Sequence, residues 1–320
     1  MKIHVVGRSY SVVEPGFELE WPDLNEDRGG PIDALIVTTK AQHVGPSLAK
    51  LKSRLSRAST LFILCNGLPS VLPLVTQEVF SPDDCPSLIL GHTSHGVHRV
   101  ITSDAVHACH GTWNHAGAGR IVCSVWPETI ARTFDGDPPS LKVLKSALQA
   151  CESLSATFVS YRDWLDGALA KLGVNCAANA ASALIGDKNG ALLAPAMRDF
   201  LDAVLREVAA VFAVRLADEA PSVQPGASPS THPLSHQMLL RTTLDVLAVT
   251  QDNTSSTLSD VLRLSHRDAP EAASSGPFTE LEHLNGYISK LGRQYNMPTP
   301  LNDALVALVE AKCRAIASTS

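Results

Sequence analysis

Short runs of β-branched and aliphatic residues recur through the first half of the chain, each bounded by turn-forming residues. They are Ile3-His4-Val5-Val6, Ala34–Val37, Leu61–Leu64, Leu88–Leu90, Ile121–Val125 and Ala156–Val159. Runs this short, without alternation, suit strands buried on both faces of a sheet. Helical patterns fall between some of them, notably at Val44–Leu55 and Pro139–Cys151. Strands alternating with helices predict an α/β sheet. Between His92 and Val125 no helical pattern intervenes, so that part of the sheet is expected to be antiparallel or mixed.

The pattern changes after residue 160. Ala- and Leu-rich stretches with helical spacing run over Asp163–Ile185, Ala194–Leu216, Leu234–Val249, Thr279–Tyr295 and Leu301–Ala317. Thr299 followed by Pro300 offers an N-cap and a first helical position for the last of these. Asp218–Pro233 and Ser265–Pro277, rich in Pro, Ala and Ser, read as connections. The expectation is an α/β domain over residues 1–160 and an all-helical domain over 161–320.

Within the first long helix, almost everything from Ala168 to Ile185 is apolar or small except Lys171, Asn175, Asn179 and Ser182. At about 100° per residue these four return to one side of the helix. A polar stripe of this kind can simply face water. Surface stripes, however, usually carry Glu, Lys, Gln and Arg, whereas Asn is a mediocre helix former. Two Asn and a Lys without an acidic i±4 partner fit a lined cleft better. Desolvation favours the neutral form of a lysine, which suits proton delivery to a carbonyl oxygen near neutral pH. Asn amides can hold hydroxyl or carboxylate groups without adding charge.

Glu280 is a second candidate. Thr279 and Glu282 fit a capping box, which would place Glu280 in the first turn of a helix, where dipole complementation alone explains a carboxylate. His92, His95, His98, His107, His110 and His115 suggest zinc, yet no carboxylate or Cys framework accompanies them, and no metal site is expected. No G-x-S-x-G elbow occurs.

Composition narrows the function classes. The 320 residues are 45% hydrophobic and 18% charged, with a formal charge of -6 and 5% aromatics. Nucleic-acid binding and a basic membrane patch are not expected. The uncharged stretch Ser59–Gln77 contains Asn66, Gly67, Pro69 and Pro73 and reads as strand, loop and helix start rather than a membrane span. Seven cysteines are scattered, with no C-x-x-C pair and no apolar leader after Met1. That usage predicts a reducing, cytoplasmic setting.

Taken together, the motifs resemble those of ketopantoate reductases (2-dehydropantoate 2-reductases), two-domain oxidoreductases of the 6-phosphogluconate dehydrogenase-like group. The matching segments are Leu35–Gln42, Cys65-Asn66-Gly67-Leu68, Gly91–Gly96, His115–Gly119, Lys171–Asn179, Thr279–Gly286 and Pro298–Pro300, in the family's order. The resemblance implies a Rossmann-like N-terminal domain and an all-α C-terminal domain. It also implies NADPH-dependent reduction of ketopantoate, or a related 2-oxo acid, to the 2-hydroxy acid, as in pantothenate biosynthesis. Carried over by position, Lys171 is the general acid and Glu280 its catalytic partner, in place of the dipole role. Asn175, Asn179, Ser256 and Asn66 bind substrate, and Gly7, Lys40, Gln42 and Asn66 bind the cofactor. Ser256 stands where the family's substrate-carboxylate serine does, although the usual Met and Gln after it are Thr257 and Ser259 here. Oligomeric state is left open, with a homodimer among the states to test.

The start of the chain departs from the family. Met1–Gly7 reads as the first strand and first glycine, but Arg8-Ser9-Tyr10-Ser11-Val12 follows with no second glycine in register. Only Arg8 to Ile32 separate Gly7 from the next strand, whereas a βαβ unit takes about 30 or more residues. Two explanations compete: a truncated or mis-spliced reductase, or a divergent, catalytically silent member acting as a binding or assembly protein. The presence of Lys171, Asn175, Asn179 and Glu280 favours the first.

Overall fold

The protein is described by a computed structural model covering residues 30–100, 112–132, 137–219, 232–264 and 277–318. The strand expected at Ile3–Val6, the glycine Gly7 and most of the two expected connections lie outside these residues. The chain divides into two compact units between Trp164 and Leu165.

In the first unit the chain runs β1 (Ala34–Val37), α1 (Ala41–Leu51), β2 (Thr60–Leu64), α2 (Leu68–Pro73), β3 (Ser87–Thr93), β4 (Gly96–Val100) and β5 (Thr112–Gly117). It continues with β6 (Ile121–Val125), α3 (Pro127–Arg132), α4 (Pro139–Ala150) and β7 (Ala156–Phe158). Among the described residues the main sheet has the order β1-β2-β3-β6-β7. Neighbours β1, β2 and β3 are parallel, with Leu35 opposite Leu61 and Leu61 opposite Leu88. Strand β6 is antiparallel to β3, and β7 is parallel to β6. The mixed pairing expected after His92 has a simple origin. Strands β4 and β5 form a separate antiparallel ribbon between β3 and β6, and among the described residues of this connection there is no crossover helix.

Burial on both faces holds at the centre of the sheet, where β2 and the first five residues of β3 are almost wholly buried. It fails at the flanks: β1 alternates buried and half-buried positions, and β7 is half-buried or exposed. Flanking strands of a described sheet are covered less completely than central ones. Leu141, Leu144 and Leu148 of α4 pack on Phe62, Ile89, Ile121 and Cys123. Side chains alternate along a strand, so Leu61, Ile63, Leu88 and Leu90 form the opposite, equally buried face. Helix α3 was not foreseen, and α2 continues from Leu74 to Val79 as a wider π-type turn.

His95 shows what one histidine of the cluster does. Its Nδ1 accepts from the Gly119 N–H at 3.1 Å, and its Nε2 lies 3.1 Å from the Leu154 carbonyl. A carbonyl only accepts, so Nε2 carries the proton and the ring pins the base of the ribbon to the loop before β7. Among the described residues no three His, Cys, Asp or Glu side chains group as metal ligands, and no disulfide forms.

Helix α5 (Tyr161–Ile185) carries the chain into the second unit, followed by α6 (Pro195–Glu219), α7 (His236–Val249), α8 (Ser256–Leu264), α9 (Asn285–Gln294) and α10 (Pro300–Ala317). By length and hydropathy alone α5 could cross a membrane, but 72% of its most apolar window is buried inside the fold. It is a core helix: Leu169, Leu172, Cys176, Ala177, Ala180 and Ala183 are buried, and Leu239 of α7 and Val208 of α6 approach it at Gly173. Its end is closed by Lys312 of α10, whose Nζ donates to the carbonyls of Ala183 at 2.8 Å and Leu184 at 2.9 Å. A cation there satisfies orphan carbonyls and complements the helix dipole.

Three expectations for this half need correction. Helix α8 was not foreseen. The helix expected over Thr279–Tyr295 is broken: a 3-10 turn spans Leu281–His283, Leu284 leaves helical geometry (φ −110°, ψ −97°), and α9 starts at Asn285. The Thr279–Glu282 capping box therefore does not form, and Thr279 Oγ1 instead accepts from the Leu281 N–H at 3.3 Å. Glu280 precedes the short turn rather than lying in the first turn of an α-helix. Finally, Thr299 makes no side-chain cap for α10. The cap comes from α6, where the Glu207 carboxylate accepts from the N–H groups of Leu301 at 2.9 Å and Asn302 at 3.0 Å.

Candidate active site

The polar stripe of α5, Lys171, Asn175, Asn179 and Ser182, does not form a solvent face. Lys171 and Asn175 are half-buried, Asn179 is 8% exposed and Ser182 is fully buried. At 1.5 Å per residue the stripe from Lys171 to Asn179 spans about 12 Å along the helix. Burial deepens from the Lys171 end to the Ser182 end, which gives a polar lining inside an apolar unit.

At the deep end, α8 meets the stripe. Asn179 Nδ2 donates to Ser256 Oγ at 3.2 Å, so two residues far apart in sequence, both expected at the site, come together. The contact is set by the start of α8. Ser255 caps that helix by accepting from the Leu258 N–H at 3.1 Å, and its hydroxyl lies 2.7 Å from that of Ser182. Ser256, one residue later, is thereby held beside α5 while its own side chain stays exposed. The Ser255-Ser256 start was legible only in part. Ser256 was singled out, but its capping neighbour and their helix were not.

Glu280 is also in this unit and is 5% exposed, next to Thr279 at 8%. Its carbonyl accepts from the His283 N–H at 2.9 Å, which fixes the backbone of the 3-10 turn that follows it. A carboxylate buried this deeply requires polar partners, because an isolated buried charge is far too costly. His283 lies beyond it, its pKa lowered by burial.

A buried amide chain that the sequence reading missed braces the same helices. Asn285, fully buried at the start of α9, donates to the Cys176 carbonyl of α5 and to Asn302 Oδ1 of α10, both at 2.9 Å. Asn302 Nδ2 in turn donates to Glu207 Oε2 at 2.8 Å. The amide chain thus ends on a charge, and it fixes the part of α5 between Asn175 and Asn179 against α6, α9 and α10. Asn285 belongs to the T-E-x-x-x-x-N-G segment, which was its only signal in the sequence.

The remaining expected residues lie in the first unit, at the C-terminal ends of parallel strands. Open α/β sheets bind ligands at that edge. Lys40 stands at the N-cap position of α1 in extended conformation, with no side-chain cap bond, and Gln42 is the second residue of that helix. Asn66 follows β2 and precedes Gly67, whose positive φ of 66° turns the chain into α2. Only glycine takes that conformation without strain. Buried Thr39 Oγ1 and Gln42 Oε1 have no hydrogen-bond partner in the protein. Buried polar atoms are rarely left so, and a polar ligand at this edge would satisfy them. A donor, an acceptor and a lysine at the end of β1 fit the sugar–phosphate part of a dinucleotide. Gly7 and the turn after it lie outside the described residues.

The family model described as ketopantoate reductase PanE/ApbA matches residues 7–128, and the one described as ketopantoate reductase PanE/ApbA C terminal matches residues 163–313. A 2-dehydropantoate 2-reductase of Vibrio cholerae is 28% identical over 276 residues, covering 85% of this chain and 75% of that protein. One from Saccharomyces cerevisiae is 26% identical over 287 residues, covering 83% and 69%. Among solved structures, D-mandelate dehydrogenase with NADH and anilino(oxo)acetate superposes with a TM-score of 0.68 at 17% identity, over 97% of this chain and 84% of that one. A probable 2-dehydropantoate 2-reductase from Bacillus subtilis gives 0.59 at 22% identity, over 89% and 78%.

Proposed function

Because the chain belongs to the ketopantoate reductase family, we propose that it is an oxidoreductase that reduces the C2 ketone of ketopantoate, or of a related 2-oxo acid, with NADPH. The observation that carries the reading is the half-buried Lys171 on the same helix face as Asn175 and Asn179, with Asn179 tied to Ser256. Asn175 and Asn179 hold the hydroxyl end of the substrate, and the exposed Ser256 hydroxyl takes its carboxylate. Lys171 gives a proton to the ketone oxygen as it becomes an alkoxide, which is general-acid catalysis. Glu280 orients Lys171 and the substrate.

Lys40, Gln42, Asn66 and Gly7 are assigned to cofactor binding, and Asn66 also to substrate binding. The unpartnered atoms of Thr39 and Gln42 support that assignment. Bound there, the nicotinamide supplies the hydride, the chemistry that no side chain can provide.

Titration calorimetry of the full chain with NADPH, alone and with ketopantoate, tests the reading, followed by absorbance-monitored turnover. Binding strengthened by ketopantoate, and turnover that falls at least a hundredfold in Lys171→Ala, is the expected result. General acids contribute about 10²–10⁴-fold. Retention of more than about a tenth of kcat by Lys171→Ala removes it as the acid. The substrate panel includes an arylated 2-oxo acid, because D-mandelate dehydrogenase shares the fold. A second reading, a silent binding or assembly protein, is favoured by the lack of a second glycine in register after Gly7. A folded chain that binds neither NADPH nor NADH would mean that it is not itself a reductase and would favour this second reading.

A further inference from the structure

Ser182 is the fourth member of the α5 stripe and has no role in the reaction described above. It is fully buried, and its hydroxyl meets two partners: the Asn179 carbonyl at 3.1 Å and the Ser255 hydroxyl at 2.7 Å. Ser255 Oγ also accepts from the Leu258 N–H at 3.1 Å. Each hydroxyl has one proton. The carbonyl of Asn179 can only accept, so the Ser182 proton goes there. Ser255 must then donate its own proton to Ser182 Oγ. One arrangement satisfies every bond, and it runs in one direction: Leu258 N–H to Ser255, Ser255 to Ser182, Ser182 to Asn179.

The relay ends on the residue whose side chain reaches back to α8, since Asn179 Nδ2 donates to Ser256 Oγ at 3.2 Å. Asn179, Ser182, Ser255 and Ser256 therefore form a closed ring across α5 and α8. Ser255 can cap α8 without Ser182, because the bond from Leu258 uses the oxygen alone. What only the Ser182 hydroxyl supplies is the tie between that cap and α5. We propose that Ser182 is a positioning residue: it fixes the spacing of the Asn179 amide and the Ser256 hydroxyl, and so the fit of the substrate's polar end. This rests on the reading that Asn179 and Ser256 hold a 2-oxo acid.

The test uses the full chain labelled with ¹⁵N at asparagine, with the Asn179 side-chain amide assigned by its loss in Asn179→Ala. In Ser182→Ala the ring opens, and the Asn179 amide resonances are expected to shift. Ser182→Thr keeps the hydroxyl and restores them. In turnover, KM for the 2-oxo acid rises by about three- to tenfold in Ser182→Ala, the range of one lost neutral hydrogen bond. Its kcat stays within about twofold, and Thr recovers the KM. Unmoved Asn179 resonances, or a fall in kcat at constant KM, overturns the proposal. If the unaltered chain neither binds nor turns over any 2-oxo acid, the functional reading fails alone, and the resonances still decide whether Ser182 sets the spacing. Should Ser182→Ala not fold, Ser182→Cys, close in volume with a weak donor, replaces it. An unshifted Asn179 amide in that variant counts against the ring.

Discussion

Replacing Glu207 by Ala removes the cap of α10, whose Leu301 N–H it accepts from across 94 residues of chain. In the native structure the carboxylate accepts from Leu301 N at 2.9 Å, Asn302 N at 3.0 Å and Asn302 Nδ2 at 2.8 Å. The first two are the N–H groups of the second and third residues of α10, the usual targets of a cap, whose loss costs about 0.5–2 kcal/mol. The third belongs to a fully buried amide, and leaving that donor unmet costs about 1–3 kcal/mol more. Glu207 is half-buried, so water recovers part of the first cost but little of the second. The sum is about 3 kcal/mol for Glu207→Ala. Glu207→Gln keeps one acceptor oxygen and the shape, and should cost about 1 kcal/mol. For a unit of this size about 3 kcal/mol corresponds to a drop of roughly 6–12 °C in Tm. The four tryptophans, Trp21, Trp113, Trp126 and Trp164, all precede Leu165. Their fluorescence therefore follows the first unit, whereas ellipticity at 222 nm is weighted toward the helical second unit. Urea titrations read both ways should show the ellipticity transition moving to lower urea in Glu207→Ala. A loss below about 1 kcal/mol, or equal losses in Ala and Gln, refutes the capping argument.

Three further outcomes follow from packing and burial. In Gly292→Ala the new Cβ would lie 2.8 Å from the Met297 carbonyl oxygen and 2.8 Å from Thr299 Cγ2. The α9–α10 turn must shift, at about 1–3 kcal/mol by the same titration, and a neutral variant contradicts that packing. Burial pushes the Cys123 thiol up to about 12 and the Cys313 thiol up to about 11, and Cys176 is raised as well. Iodoacetamide at pH 8 should therefore modify half-buried Cys151 before these three, as read by peptide mass spectrometry; early labelling of Cys176 refutes it. The His283 pKa is lowered from 6.5 by burial, so the unfolded chain binds the proton more readily. That contribution to stability is complete above pH 6.5 and is lost as pH falls from there toward the lower folded value. His283→Gln should flatten the dependence of the unfolding midpoint in this window, and an unchanged slope removes His283 as its source.

Sequence pattern carries local facts and loses those made between distant segments. The strands at Ala34, Leu61, Leu88 and Ile121 were legible because each is a short apolar run, and the sheet they form needs little else to specify it. The length of β3 was not, because Gly91, His92 and Thr93 pair with β6 without looking like strand. Helix α8 does carry a periodic signal, with Thr257, Leu258, Val261 and Leu264 buried on one side. Its serine-rich start masked that signal, although a serine before a helix is a cap. The Lys171–Ser182 stripe was readable for the opposite reason: one long apolar helix makes any polar residue conspicuous. Its partners were not readable, because Ser182 bonds to Ser255, 73 residues away, and the Cys176 carbonyl accepts from Asn285, 109 residues away. The cap of α10 makes the same point by substitution. Thr299-Pro300 satisfies every local rule for a helix start, yet the hydrogen bonds go to Glu207, because a carboxylate accepts from N–H groups more strongly than a hydroxyl does. Periodicity thus marks the face on which a site is built. Its chemistry depends on which distant side chain completes each hydrogen bond, and Ser182 is the residue at which those two kinds of information meet.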